Sequence, residues 1–95
     1  MNNDTLTILK EGGWREYSVL IKRLIAENRI VPTELLIAPI IENPENYKII
    51  SIIEYYQAKS MKWDVHMDQI QNSILGIKNT DYQNHLLNLL NKFKH

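Results

Sequence analysis

A stripe of large apolar side chains between residues 49 and 74 constrains the fold of this chain more than any other feature. The stripe positions are spaced alternately four and three residues apart, which keeps them on one face of an α-helix. They are Ile49, Ile53, Tyr56, Ser60, Trp63, Met67, Ile70 and Ile74, of which only Ser60 is polar and small. The pattern therefore predicts helical structure here, with the aromatic and sulfur-bearing side chains packed inside the protein rather than lining a pocket.

The stripe is too long for one helix in a chain of this size. A continuous helix from Pro44 to Leu75 would be roughly 46 Å long, whereas a compact chain of 95 residues has a diameter of about 32 Å. We expect a break between Lys59 and Met61, because a second apolar line lies opposite the first and one surface helix cannot bury both. That second line consists of Tyr47, Ala58, Met61 and Val65. The alternative is an unbroken, protruding helix, whose far end a second copy would cover.

Helical spacing also predicts helices before and after this region. Residues 4–12 form a short first segment, and an amphipathic helix follows Gly12 and Gly13, with its apolar face formed by Trp14, Tyr17, Leu20, Ile21, Leu24 and Ile25. Gly76 ends the region of the long stripe, and Thr80 with Gln83 predicts a capping box for the last helix. The buried face of that helix is expected to be Tyr82, Leu86, Leu89 and Phe93.

The segment from Pro32 to Glu45 is harder to interpret, because it contains three prolines. Pro32 suits a helix start and Pro39 should break the helix, while Asn43 followed by Pro44 suggests the N-cap and first residue of the next helix. Apolar residues at 35–37, 40 and 41 leave little polar surface, so we expect them to be buried. Altogether the sequence predicts an all-α fold, a single domain over residues 1–95 built as a bundle of about four to five helices.

Composition argues against several classes of function. The formal net charge is zero, with eleven basic and eleven acidic residues, so no overall positive field would attract nucleic acid or anionic lipid. The absence of cysteine removes disulfides and thiolate chemistry and fits a reducing compartment. The N-terminus lacks the pattern of a signal peptide, and the longest apolar run is far shorter than a membrane span. We therefore expect a cytoplasmic protein that binds neither nucleic acid nor membrane.

Residues capable of catalysis or metal binding do not form a recognisable set. Asp64, His66 and Asp68 are spaced two apart, so on a helix successive members point in different directions and cannot all reach one ion. The serines and glycines match neither a nucleophile elbow nor a phosphate-binding loop. We predict no cofactor, no metal and no enzymatic activity, with a small enzyme or metal binder as the least favoured reading.

Charge is distributed unevenly along the chain, and the middle third is acidic. Residues 32–58 contain four glutamates and one lysine, giving a net charge of minus three. Carboxylates beside exposed aromatic side chains are typical of protein-binding surfaces. The predicted partner-binding residues are Glu42, Asn43, Glu45, Asn46, Tyr47, Glu54 and Tyr55. Tyr55 is expected to have an exposed edge on the flank of the buried stripe.

In size, helicity and local acidity, the chain resembles the small bacterial immunity proteins that neutralise a toxin or nuclease domain. No motif supports that resemblance, so it implies no role for any individual residue. We predict a protein-binding inhibitor that occludes a basic active-site cleft, and a monomer rather than a homodimer. The main alternative is a structural or assembly module that forms homo-oligomers, through the apolar segment from Leu35 to Ile41 or the end of the long stripe.

Overall fold

Secondary structure in the computed structural model, which describes residues 3–45 and 47–94, is entirely helical. The helices are α1 (Asn3–Glu11), α2 (Trp14–Ala26), α3 (Thr33–Glu42), α4 (Lys48–Ala58), α5 (Val65–Leu75) and α6 (Thr80–Lys94). The predicted all-α bundle is confirmed, with six helices in the described residues rather than four to five. The two helices with the most extensive mutual packing are α2 and α4, while α5 packs between α3 and α6.

Isoleucine and leucine dominate the core, to which α4 contributes most of its circumference. Its fully buried side chains include Tyr17, Ile21, Leu24, Leu36, Ile37, Ile40, Ile49, Ile52, Tyr56, Met67, Ile70 and Ile74. The hydroxyl of Tyr17 donates a hydrogen bond of 2.7 Å to the carbonyl oxygen of Leu36, which joins α2 to α3. A buried phenol with a carbonyl acceptor avoids the free-energy cost of an unpaired polar group.

The predicted break in the long stripe is confirmed. Helix α4 ends at Ala58, and α5 begins only at Val65. Ser60 turns the chain with a positive φ of 55°, and the amide of Met61 donates to the carbonyl oxygen of Tyr56 at 2.9 Å. The longest dimension of the molecule is 37 Å, which is shorter than the unbroken helix would require.

Most of the predicted stripe lies in the core, but one of the two reasons given for the break, the second apolar line, is wrong. Met67 and Tyr56 are fully buried, and Trp63 is half-buried against the core. The supposed second apolar line is not a buried face, because Tyr47, Ala58 and Val65 are exposed and Met61 is only half-buried. The limit on helix length remains the reason, because the molecule extends only 37 Å and α5, once separated from α4, packs against α3 and α6.

Two predictions made from the prolines are wrong. Helix α3 continues through Pro39, although proline has no N–H to donate to the carbonyl oxygen of Leu35. Asn43 does not start the next helix, because its amide bonds to the carbonyl oxygen of Pro39 and it ends α3 instead. Pro44 and Glu45 form a turn, and α4 begins at Lys48.

Packing also buries some of the apolar residues of α3 and leaves others exposed. Leu36, Ile37 and Ile40 are buried as predicted, whereas Leu35 and Ile41 are exposed. Helix α3 packs against α1, α4 and α5, and these three neighbours still leave part of a helix that is apolar nearly all round facing solvent. Full burial was therefore correct for the centre of the segment and wrong for its two edges.

The connection between α5 and α6 is secured by Asn79 and Gln83. Gly76 ends α5 as predicted, but the predicted capping box of Thr80 and Gln83 is wrong. The side chain of Asn79 accepts the amide of Tyr82 at 3.0 Å and so caps α6. The Gln83 side chain donates to the carbonyl oxygens of Ile74 and Leu75, at 3.2 and 2.9 Å. Gln83 thus satisfies the end of the preceding helix instead of the start of its own.

Candidate functional site

The acidic residues predicted to bind a partner lie at the surface, on two helices and the turn between them. Glu42 is at the end of α3, Glu45 is in the turn and Glu54 is on α4, and all three are exposed. Among residues 3–45 and 47–94, none of these three carboxylates forms an ion pair. Asn43, which ends α3, is also exposed. Asn46 lies outside the described residues.

The two tyrosines predicted for this surface have opposite environments. Tyr47 is 48% exposed, and its ring makes edge-on contacts with Trp14 at 5.8 Å and with Tyr82 at 6.0 Å between centroids. Tyr55 is only 4% exposed, so the expected exposed edge is wrong. Helix α4 packs against α2, α3 and α6, and this packing leaves only a narrow strip of α4 facing solvent.

A mostly apolar groove of about 410 Å³ runs between α2 and α4 beside that exposed strip. It is lined by Trp14, Ser18, Tyr47, Ile50, Ser51 and Glu54. Trp14 is 47% exposed and Ile50 is 39% exposed, so the groove presents an aromatic ring and an aliphatic side chain to solvent. Such a concave, apolar surface with one charged edge is typical of a binding site.

Sequence reasoning missed Trp14 and Ile50 as surface residues. Trp14 was assigned to the buried face of α2, but it is the first residue of that helix, where fewer neighbouring side chains cover it. Ile50 carried a usable signal, because the buried stripe passes through Ile49 and Ile53 and leaves Ile50 off it. A large aliphatic residue outside the buried face of an amphipathic helix indicates either a second contact or a binding surface.

Cations and carboxylates near the groove shape its electrostatics. The guanidinium of Arg15 lies 5.4 Å from the centroid of the Trp14 ring, a cation–π distance. Burial raises the pKa of Tyr82, and the neighbouring Tyr47 and Glu45 raise it further. The carboxylate of Glu54 lines the groove itself. The groove therefore combines aromatic faces with an acceptor for positive charge.

Of the three residues Asp64, His66 and Asp68, the two aspartates accept hydrogen bonds from neighbouring groups of the protein. Asp64 caps α5 by accepting the amides of His66 and Met67 at 3.1 and 3.2 Å. Asp68 accepts the indole N–H of Trp63 at 2.6 Å. Within the described part of the chain, no cluster of three or more His, Asp or Glu side chains could hold a metal ion.

Comparison with known proteins identifies no relative. No protein-family model matches the chain, and no curated protein or solved structure matches it significantly. In the described residues, no helix combines the length and hydrophobicity required to cross a membrane.

Proposed function

We propose that this chain is a small protein-binding inhibitor of the immunity type, which acts in the bacterial cytoplasm by covering the basic cleft of a toxin or nuclease domain. The observation that carries the proposal is that Glu42, Glu45 and Glu54 are exposed and form no ion pair within the described residues, and that Glu54 borders a groove lined by aromatic and aliphatic side chains. Neither a sheet edge nor a catalytic cluster is required for this role, because the inhibitor acts by occupying space and matching charge.

Aromatic exposure supports a protein partner. Trp14 and Tyr47 are each about half exposed, and they contact each other edge to face. Tryptophan and tyrosine are enriched among the residues that contribute most to protein–protein affinity, because they bury a large area while losing little rotamer entropy. A rigid aromatic pair at the surface would give such an interface its centre.

The exposed carboxylates support the proposal that the partner is basic. Glu42, Glu45 and Glu54 are exposed and form no ion pair within the described residues. Carboxylates that are not neutralised within their own chain remain available to a partner, and they speed its approach when the partner carries opposite charge. These exposed carboxylates would match a cleft that binds phosphate and is therefore lined by lysine and arginine.

The test is the association rate with a purified toxin domain encoded beside the gene for this chain. We expect the double variant Glu42→Lys/Glu45→Lys to associate at least about tenfold more slowly at low salt, with a smaller difference at high salt. The control is Glu11→Lys/Glu34→Lys, which changes net charge equally at exposed positions that are not among the predicted partner-binding residues. Equal rates for the two double variants would rule out a role for Glu42 and Glu45 in binding.

The assembly alternative has its own supporting observation. Leu35 and Ile41 are exposed on α3, and Leu35 lines a smaller groove of about 100 Å³ with Leu9, Lys10, Pro39 and Glu42. Exposed apolar side chains of this kind could pair with a second copy. Sedimentation at micromolar concentration separates the two functions, since a homo-oligomeric module must self-associate and an inhibitor that acts as a monomer does not.

A further inference from the structure

The groove between α2 and α4 carries a more specific inference about the basic partner. The inference rests on the proposed function, because it assumes that the partner is a protein with a positively charged surface. Two properties of the groove need one explanation. Its walls are mostly apolar and aromatic, which favours an uncharged occupant, yet Glu54 lines it and has no ion pair in the described residues.

A long basic side chain satisfies both requirements. Arginine combines an apolar stem of methylene groups with a planar cation, and it commonly lays the stem along apolar surface while its charged end reaches a carboxylate. A neutral aliphatic side chain would leave Glu54 beside a partially dehydrated surface without a counter-charge. A short cation would reach the carboxylate without covering Ile50 and the aromatic rings.

A contact already present in the protein shows that one ring of the groove accepts a cation. The guanidinium of Arg15 lies over Trp14 at 5.4 Å. Outside the groove, on the same pair of helices, the ammonium of Lys48 lies 5.7 Å from the ring centroid of the buried Tyr17. Guanidinium groups stack on aromatic faces more readily than ammonium groups do, because they are planar and weakly hydrated.

We propose that the groove receives one arginine side chain of the partner, with its methylene stem on Trp14, Tyr47 and Ile50 and its guanidinium paired with Glu54. The groove volume of about 410 Å³ accommodates a long side chain together with the adjoining backbone. Charge complementarity thus selects the occupant, and the apolar walls fix its orientation.

The proposal is tested with butylguanidinium, which reproduces the arginine side chain, and with butylurea, its neutral isostere. Binding is followed by NMR at the indole N–H of Trp14. Trp63, the second tryptophan, is the internal control, because its indole N–H is bonded to Asp68 outside the groove. We expect a saturable shift at Trp14 with a midpoint on the order of 10 mM for butylguanidinium and about fivefold weaker binding of butylurea.

Matched substitutions locate the binding. Glu54→Gln and Ile50→Ser should each weaken butylguanidinium binding by about fivefold. The controls Glu34→Gln and Ile30→Ser should leave it unchanged, because both residues are exposed and neither lines the groove. Ile30 is 94% exposed and Ile50 is 39% exposed, so the control substitution removes more exposed apolar surface than the test substitution, at a site outside the groove.

Several results would overturn the proposal. They are equal binding of the two probes, an unchanged midpoint in Glu54→Gln, and a shift at Trp63 as large as that at Trp14. None of these results bears on Glu42 and Glu45, which do not line this groove. Failure of the arginine site is therefore distinguishable from failure of the inhibitory function, which the association rates of the Glu42 and Glu45 variants test.

Discussion

The hydroxyl of Tyr56 donates a hydrogen bond of 2.8 Å to Oδ1 of Asp64 and so ties the last turn of α4 to the start of α5. The same carboxylate caps α5 by accepting two backbone amides. The Tyr56 ring is fully buried and contacts Phe93 of α6 edge to face, at 5.8 Å between centroids. One pair of residues therefore joins three helices at the point where the long stripe breaks.

Removing the hydrogen-bonding group of either Tyr56 or Asp64 should destabilise the protein, and the two losses of stability should be coupled. We expect Tyr56→Phe to lower the free energy of unfolding by about 1.5 kcal/mol, and Asp64→Ala, which also removes the cap, by about 2.5 kcal/mol. A double-mutant cycle measured by urea unfolding should give a coupling of about 1 kcal/mol. Purely additive losses would mean that the hydrogen bond contributes nothing to stability.

For Tyr82 we predict the opposite effect on stability. Its hydroxyl oxygen is buried and has no hydrogen-bond partner within the described residues. Replacing it in Tyr82→Phe removes a desolvated polar group and keeps the ring that contacts Tyr47. We expect the free energy of unfolding to rise by about 1 kcal/mol. A clear loss of stability in thermal unfolding would show that the hydroxyl does have a partner in solution.

Alkaline pH should destabilise the fold through its tyrosines. Burial raises the pKa of Tyr17 and Tyr56 well above the ordinary value of 10.0, and it also raises the pKa of Tyr55 and Tyr82. Below pH 10 these phenols are neutral in both states, so their contribution is fully present. As pH rises above about 10, the unfolded chain loses protons that the folded chain retains, and stability falls.

The measurement is urea unfolding between about pH 9 and about pH 11.5, a range that spans the ordinary pKa of tyrosine. Each of these tyrosines can contribute a slope of at most about 1.4 kcal/mol per pH unit. Because lysines also titrate in this range, Tyr56→Phe provides the comparison, and its slope should be shallower than that of the unmodified protein. Identical slopes for the two proteins would contradict a raised pKa of Tyr56 in the folded state.

The turn between α4 and α5 contains a strained serine. Ser60 adopts a positive φ of 55°, a conformation that costs a residue with a side chain roughly 1 kcal/mol and costs glycine almost nothing. We expect Ser60→Gly to raise the free energy of unfolding by about 0.5 kcal/mol, after the greater flexibility of glycine in the unfolded chain is included. Chemical denaturation checks this value.

Asn28 serves as the matched control for Ser60. It has nearly the same φ, 52°, but its side chain also accepts a hydrogen bond of 2.9 Å from the ammonium of Lys59. Asn28→Gly should therefore gain less stability than Ser60→Gly, or none, because relief of strain is offset by the lost contact. A larger gain at Asn28 than at Ser60 would contradict this account.

Sequence periodicity was sufficient for the class of fold and for the centre of each buried face. Ile49, Met67 and Ile74 were placed correctly because their spacing follows the helical repeat, which local geometry alone dictates. The break near Ser60 was also predictable, since a helix longer than the molecule cannot fold into it. Asn79 and Gln83 show the limit of local signals, because Gln83 bonds to the preceding helix and not to its own cap.

The candidate site was only partly predictable. Charge along the chain identified Glu42, Glu45 and Glu54 as exposed carboxylates, because charged side chains are rarely buried without a partner. Whether Trp14, Ile50 or Tyr55 reaches solvent depends on which helices pack against α2 and α4. Residue types and spacing thus determined the helices and most of their buried faces by themselves. Only the tertiary structure decided which apolar residues border the groove, because the exposure of a helix face is set by its neighbours in space.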